Sequence, residues 1–430
     1  VDPSDFYGIY GMTETVCLDH ITDDVLRGRL AGMAEKFACS FCDRVERPDG
    51  VPFAIMMDDL GDHVWEAANW LYRWTEDVQY SDDGEPWSYE DLFGTSDVIY
   101  DTVEDAIDPA FSMPIVDRLV EATKAADYWV GGESSDPSVL GWAQFARTVR
   151  FESRFVFVGS SARPGFENEP PARLAKFLEA LLAYVESDLV VELEAGTTLY
   201  RGRMTDDARR LRANIDQEPS SELGSAPPHL AEAGRLSPQG IGMFYAADEL
   251  RTAVAEIALH SAYDEAVVGG FKTTQVYRIL DFTRPMSKLP SIFATDPDSR
   301  RRWMFTRFKK HFTDMISAAV PLDGRQAVDY TPTQVVAEWL RYVPKARIHG
   351  IAWPSHVTGG KGKNVMLFLG PGPHFQTDPP TAAELDRRPP RAPSLTLSRD
   401  DISLHHAARA VTVSELAEDD YEDDYLFLSE

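Results

Sequence analysis

The chain has 430 residues, 43% of them hydrophobic and 11% aromatic, enough for two or three domains with sizeable cores and too apolar for a disordered chain. Its formal net charge of -28 repels phosphate backbones and argues against broad nucleic-acid binding. No run of about eighteen apolar residues occurs, so no membrane span is expected. The opening "VDPSDFYGIYGMTETV" lacks the basic-then-apolar pattern of a secretory signal, so a cytoplasmic location is expected.

All 3 cysteines fall in one window, "CLDHITDDVLRGRLAGMAEKFACSFCD". Cys17 and His20 form C-x2-H, and Cys39 and Cys42 form C-x2-C. A two-residue gap lets a tight turn aim both side chains at one ion, so the four residues resemble a closed structural zinc site. The segment between the pairs has helical periodicity and can return the second pair to the first. The plainer alternatives are a reduced C-x-x-C beside an unrelated Cys and His, or a disulfide.

After Cys42 the pattern is mostly helical. "DHVWEAANWLYRWTEDV" spaces Val64, Ala67, Ala68 and Leu71 on one helical face. Residues 101–126 read as helix interrupted near Pro109 and Pro114. Residues 136–155 carry Trp142, Phe145 and Val149 on one side, a stripe that reads as core. "SARPGFENEPPAR" (161–173) reads as a linker before the helix "LAKFLEALLAYVES".

The second half mixes strands, at 197–203, 241–247, 273–282, 346–353 and 364–370, with helices at 249–260, 301–318 and 333–342. Their irregular alternation points to α+β rather than a doubly wound sheet. No Rossmann or P-loop glycine pattern is present. The acidic end, "ELAEDDYEDDYLFLSE", reads as a solvated tail whose aromatics leave a partner-binding role open.

Four short segments carry residues suited to a charged nucleotide. "LYRGR" offers Arg201 and Arg203; "GRLSPQGIGMFYAADELRTAVAEI" offers Arg235, Tyr245 and Glu256. "YTPTQVVAEWLR" offers Tyr330, Gln334 and Glu338; "GIAWPSHVTGGKGKNVMLF" offers Ser355, His356 and Asn364. Each alone is weak. Arg at a strand end is ordinarily solvated, Tyr in a strand packs, and Ser or Asn beside a Gly-rich turn serves the turn. Glu256 borders the apolar stripe Leu250, Ala253, Val254, Ile257, where a helical Glu is ordinarily solvent-facing. Gln334 and Glu338 read as helix-surface or supporting residues, and His356 as a loop His outside any triad.

In order, these segments resemble the RES domain family, named for its Arg, Glu and Ser. The matching residues are Tyr200-Arg201, Gly234-Arg235, Tyr245, Ala255-Glu256, Pro354-Ser355 and Asn364, within about 197–370. Compact members carry Trp after the Gly-Arg, where this chain has Leu236. The N-terminal part, with its cysteine knuckles, resembles the HEPN-like helical domain attached to longer RES proteins. Residues 1–160 lack the Arg and His pair of HEPN ribonucleases, so RNase activity is not expected.

The resemblance implies a mostly helical N-terminal domain (1–160) containing a zinc-knuckle module (14–46). A mixed α/β RES domain (161–414) with an ADP-ribosyltransferase-like fold and an acidic tail (415–430) would follow. It also implies an enzyme that consumes NAD, commonly a bacterial toxin. Arg201, then Arg235, would pair with the pyrophosphate through two donors. Glu256 would bind the ribose hydroxyl beside the breaking nicotinamide bond, whose transition state is oxocarbenium-like. Tyr245 would stack on nicotinamide or shape its pocket, Ser355 would bond the ribose or carboxamide, and Asn364 would fix the Ser turn. Catalysis thus falls to Arg201, Glu256 and Ser355, and substrate binding to Arg235, Tyr245 and Asn364. Cys17, His20, Cys39 and Cys42 would hold structural zinc. Water, phosphate or a macromolecule could accept the ADP-ribose; a zinc-stabilised sensor that binds a nucleotide without cleaving it is the non-enzymatic alternative. An antitoxin partner and a homo-oligomer are left open.

Overall fold

The computed structural model describes residues 7–42, 44, 50–74, 92–124, 128–131, 141–155, 170–259, 261–285, 290–318, 325–343, 347–372 and 394–409. The acidic tail and most of the expected linker lie outside these residues.

In chain order the first strands are β1 (Gly8–Ile9), β2 (Thr15–Cys17), β3 (Ala54–Met56), β4 (Tyr72–Trp74), β5 (Phe93–Gly94), β6 (Thr123–Lys124), β7 (Tyr128–Gly131) and β8 (Val190–Leu193). Helices α1 (Asp24–Leu30), α2 (Met57–Leu71), α3 (Thr95–Val103), α4 (Ser112–Ala122), α5 (Gly141–Phe151) and α6 (Pro170–Tyr184) lie among them. Then come β9 (Thr198–Thr205), α7 (Ala208–Gln217), α8 (Pro219–Leu223), β10 (Phe244–Ala247), α9 (Leu250–Leu259), β11 (Glu265–Thr273) and β12 (Tyr277–Asp281). The chain continues through α10 (Pro297–Ser317), α11 (Gln326–Asp329), α12 (Thr331–Tyr342), β13 (Gly350–Pro354), β14 (Lys363–Leu367) and β15 (Leu395–His406).

These elements form two compact units. One comprises Val1–Leu193, Pro227–Gly242 and Tyr277–Pro354; the other comprises Glu194–Ala226, Met243–Val276 and Ser355–Glu430.

In the first unit, α2 buries Met57, Leu60, Val64, Ala67, Ala68 and Leu71 along one stripe. This core recruits distant residues: Ile292, Phe293, Trp303 and Met304 pack with Ile9, Leu26, Ile99 and Leu119. Charge ties the same pieces together, since the Glu66 carboxylate accepts from Arg29 and Arg300, each at 2.7 Å. Trp142 on α5 stacks on Phe145 and meets Phe308 and Phe312 of α10 edge-on, so the aromatic stripe is core. Pro114 does not interrupt a helix. It sits in the first turn of α4, where an N–H would have no intrahelical partner, and the break falls before Ser112. Helix α6 likewise begins at Pro170, inside the segment expected to be linker. Strands β8 and β12 pair antiparallel, and β12 and β13 pair parallel.

The second unit is built on the antiparallel strand order β15-β11-β9-β10-β14. Helix α9, rich in Ala and free of Gly and Pro, covers one face of it. A side chain on Gly202 of β9 would meet Ile257 of α9 at 3.1 Å, so this glycine lets the helix approach the sheet. Among the described residues, no helix is long and apolar enough to cross a membrane.

Candidate functional site

Glu256 lies in the last turn of α9 and is half-buried. Ser355 Oγ donates to Glu256 Oε1 at 2.7 Å, and Asn364 Nδ2 donates to the same oxygen at 2.6 Å. Two donors on one carboxylate oxygen hold the group in one orientation. Among the described residues nothing pairs with the other oxygen, Oε2.

A tight turn supplies Ser355. Its N–H donates to the Gly362 carbonyl at 2.8 Å, and its own carbonyl accepts from Gly360 N–H at 2.8 Å. Gly359 and Gly360 have φ of 63° and 76°, a left-handed conformation that favours glycine. Gly362 is required for a different reason, because a Cβ there would drive into the Thr252 hydroxyl. Ser355 is fully buried, at 0% exposure, and its Oγ also accepts from Thr358 N–H at 3.4 Å. Asn364 comes from β14, where it stands opposite Ala247 of β10.

Directly opposed residues of an antiparallel pair share a face, and side chains alternate along each strand. Tyr245, Ala247 and Asn364 therefore project to one face of the sheet, and Tyr200, paired with Ala247, projects there too. This is the face that α9 covers. The structure thus brings Glu256, Ser355 and Asn364 into contact and sets Tyr245 on their side. Tyr200, quoted only as part of a motif, joins them; its side of the sheet follows from β9 register, which the sequence alone does not fix.

Arg201 is not brought into that cluster. It alternates with Tyr200 and Gly202 and points to the other face of β9. Its Nε donates to the Leu223 carbonyl at 2.8 Å, Nη1 to Tyr245 O at 2.6 Å and Nη2 to Gly224 O at 3.0 Å. Its guanidinium carbon lies 5.4 Å from the centre of the Phe244 ring. Burial, with Arg203 adding repulsion, pushes its pKa down to about 10, so it remains a cation at neutral pH. No carboxylate takes part in these bonds, and among the described residues two of its five N–H donors have no partner.

Arg235 belongs to the first unit. Its guanidinium donates to the Ala318 carbonyl at the end of α10, and its own carbonyl accepts from the Thr333 hydroxyl. Gln334 is buried and donates to the carbonyls of Gly234 (2.8 Å) and Ser237 (3.2 Å), which bracket Arg235. Gln334 is therefore a supporting residue, whereas Glu338 is exposed on α12 and His356 is exposed in its loop.

Cys17, His20, Cys39 and Cys42 converge, with all four ligand atoms within 4.8 Å of one another. Four such donors about one ion at Zn–S distances of about 2.3 Å would lie about 3.8 Å apart. Among the described residues, buried His20 Nε2 has no hydrogen-bond partner, as a ligand nitrogen would not. The N–H groups of Cys17 and Phe41 both point at Cys39 Sγ, at 3.4 Å each. The Cys17 thiol and these N–H groups hold Cys39 below the ordinary thiol range, while the same thiol pairing and burial push Cys17 up. The geometry and the donor chemistry fit a metal ion.

Two family models match the chain. A RES domain model covers residues 207–392, which include Arg235, Tyr245, Glu256, Ser355 and Asn364 but not Arg201. A model for HEPN/RES N-terminal domain 1 covers residues 33–163, which include Cys39 and Cys42. No curated protein and no solved structure matches.

Proposed function

This chain belongs to the RES domain family, with an HEPN/RES N-terminal domain, and we propose that it cleaves the nicotinamide–ribose bond of NAD. The observation that carries this reading is the Glu256 carboxylate, held at Oε1 by Ser355 and Asn364, with no partner on Oε2 among the described residues. Breaking the bond builds positive charge on the ribose. A fixed carboxylate stabilises that charge without reorganising, and Oε2 accepts the ribose 2-hydroxyl proton in a hydrogen bond. Nicotinamide leaves as a neutral base, so no strong acid is needed.

In this reading Glu256 is the catalytic residue. Ser355, being wholly buried, acts through Glu256 rather than on the substrate, and Asn364 does the same. Tyr245 provides an aromatic surface on the same sheet face for nicotinamide. Arg201, on the opposite face of the sheet and held by the carbonyls of Leu223, Gly224 and Tyr245, braces the strand that carries Tyr245 rather than contacting the substrate. Water or phosphate completes the reaction as glycohydrolase or phosphorylase, and the fold is of the ADP-ribosyltransferase type. The role is that of a toxin or defence effector.

Zinc is the metal that three thiol-bearing ligands and one imidazole select. All four positions would be filled by protein, leaving none for substrate, so its role is to stabilise the N-terminal fold. The test is incubation of purified protein with NAD, with and without phosphate, and separation of the products. Release of nicotinamide supports the reading; intact NAD under every condition defeats it.

A further inference from the structure

The segment after residue 392 lies beyond the matched RES domain, yet it reaches the helix that carries Glu256. Strand β15 runs antiparallel to β11 and brings His406 opposite Glu265. Ala407 N–H extends that pairing by one bond, to the Asp264 carbonyl at 2.8 Å. Three residues after β15, Arg409 turns back toward α9. Its Nε donates to the Ala258 carbonyl at 2.8 Å, Nη1 pairs with Asp264 Oδ1 at 3.1 Å, and Nη2 donates to the Tyr263 carbonyl.

The last four carbonyls of a helix have no intrahelical partner. In α9 these belong to the turn that contains Glu256. The Ala258 carbonyl accepts from Ser261 N–H at 3.2 Å and from Arg409. A cation at a helix C-terminus also complements the helix dipole. The last turn of α9 is therefore held at two points, at the Glu256 carboxylate by Ser355 and Asn364, and two residues later at the backbone by Arg409. If the turn frays, the direction of Oε2 is lost even with Ser355 in place.

We propose that Arg409 is a positioning residue for Glu256, acting through the last turn of α9. This rests on Glu256 being the catalytic carboxylate. An exposed ion pair such as Arg409–Asp264 contributes little to stability by itself, so the effect expected is on rate more than on folding.

The test uses Arg409→Ala and Arg409→Lys in the full chain, with steady-state NAD consumption and residue-resolved hydrogen exchange as readouts. Arg409→Ala should lower kcat about tenfold with KM changed by less than about twofold. Arg409→Lys should recover part of kcat, because an ammonium can still donate to Ala258 O. In Arg409→Ala the amides of Leu259 and Ser261 should exchange at least about tenfold faster. Unchanged kcat overturns the proposal, as does a loss of kcat with unchanged exchange at these amides. If the wild-type protein leaves NAD intact, the functional reading fails and the exchange arm alone decides. Faster exchange then retains Arg409 as the clamp on this turn, and unchanged exchange removes it.

Discussion

Ser355 Oγ donates to Glu256 Oε1 at 2.7 Å across 99 positions of sequence. The serine is fully buried and the carboxylate half-buried, so the serine orients the acid, and among the described residues nothing pairs with Oε2. Ser355→Ala should therefore lower kcat for NAD cleavage by about 10–100-fold while leaving KM little changed. A rise in KM with unchanged kcat would place Ser355 on the substrate instead. Steady-state kinetics separates the two.

Gly362 faces the Thr252 hydroxyl with no room for a methyl group. Gly362→Ala should push the turn that ends at Ser355 off its seat, at a cost of about 1–3 kcal/mol in stability and with a loss of activity. Adding Thr252→Ala should restore much of both. Thermal denaturation and kinetics of the two variants check this; a double variant no better than the single one would refute the steric explanation.

The Cys17, His20, Cys39 and Cys42 cluster should bind one zinc per chain. Elemental analysis should find that ion in the wild type and lose it in Cys42→Ser. Strong chelators should lower Tm, because metal binding is coupled to folding. Acid should act in the same direction, since protons compete with the metal for thiolate and imidazole. A wild-type protein without metal and indifferent to chelators would contradict the assignment.

Glu66 bridges Arg29 and Arg300. Burial raises its pKa, but the hydrogen bonds from both arginines outweigh it, and the net shift is downward from 4.5. A carboxyl lowered in the folded state contributes stability above its unfolded pKa and loses it as pH falls through the folded one. Glu66→Gln should thus be less stable at pH 7 and lose less stability on acidification than the wild type. Thermal unfolding against pH measures the difference, and parallel curves would show that the bridge is not the cause.

The Glu256, Ser355 and Asn364 cluster was legible because each residue stands beside a local signal: an Ala-rich helix, a Gly-rich turn, a strand start. Strands β9, β10, β12, β13 and β14 were visible from their apolar runs. Strands β11 and β15 were not, since Gly269-Gly270 divides the first and "SRDD" the second. Pairing resolves both. Each side of β11 is occupied, and Arg212 bonds the β15 carbonyls of Arg399 and Ile402. The Glu66–Arg300 bridge was beyond reach because its partners are 234 positions apart. For the same reason, the three carbonyls that Arg201 serves could not be read from "LYRGR".

Nicotinamide release from NAD by wild type and Glu256→Gln tests the role of Glu256 most directly. The wild type should release nicotinamide, and Glu256→Gln should be slower by at least about 10²-fold while still binding NAD. Equal rates in the two proteins would contradict the account.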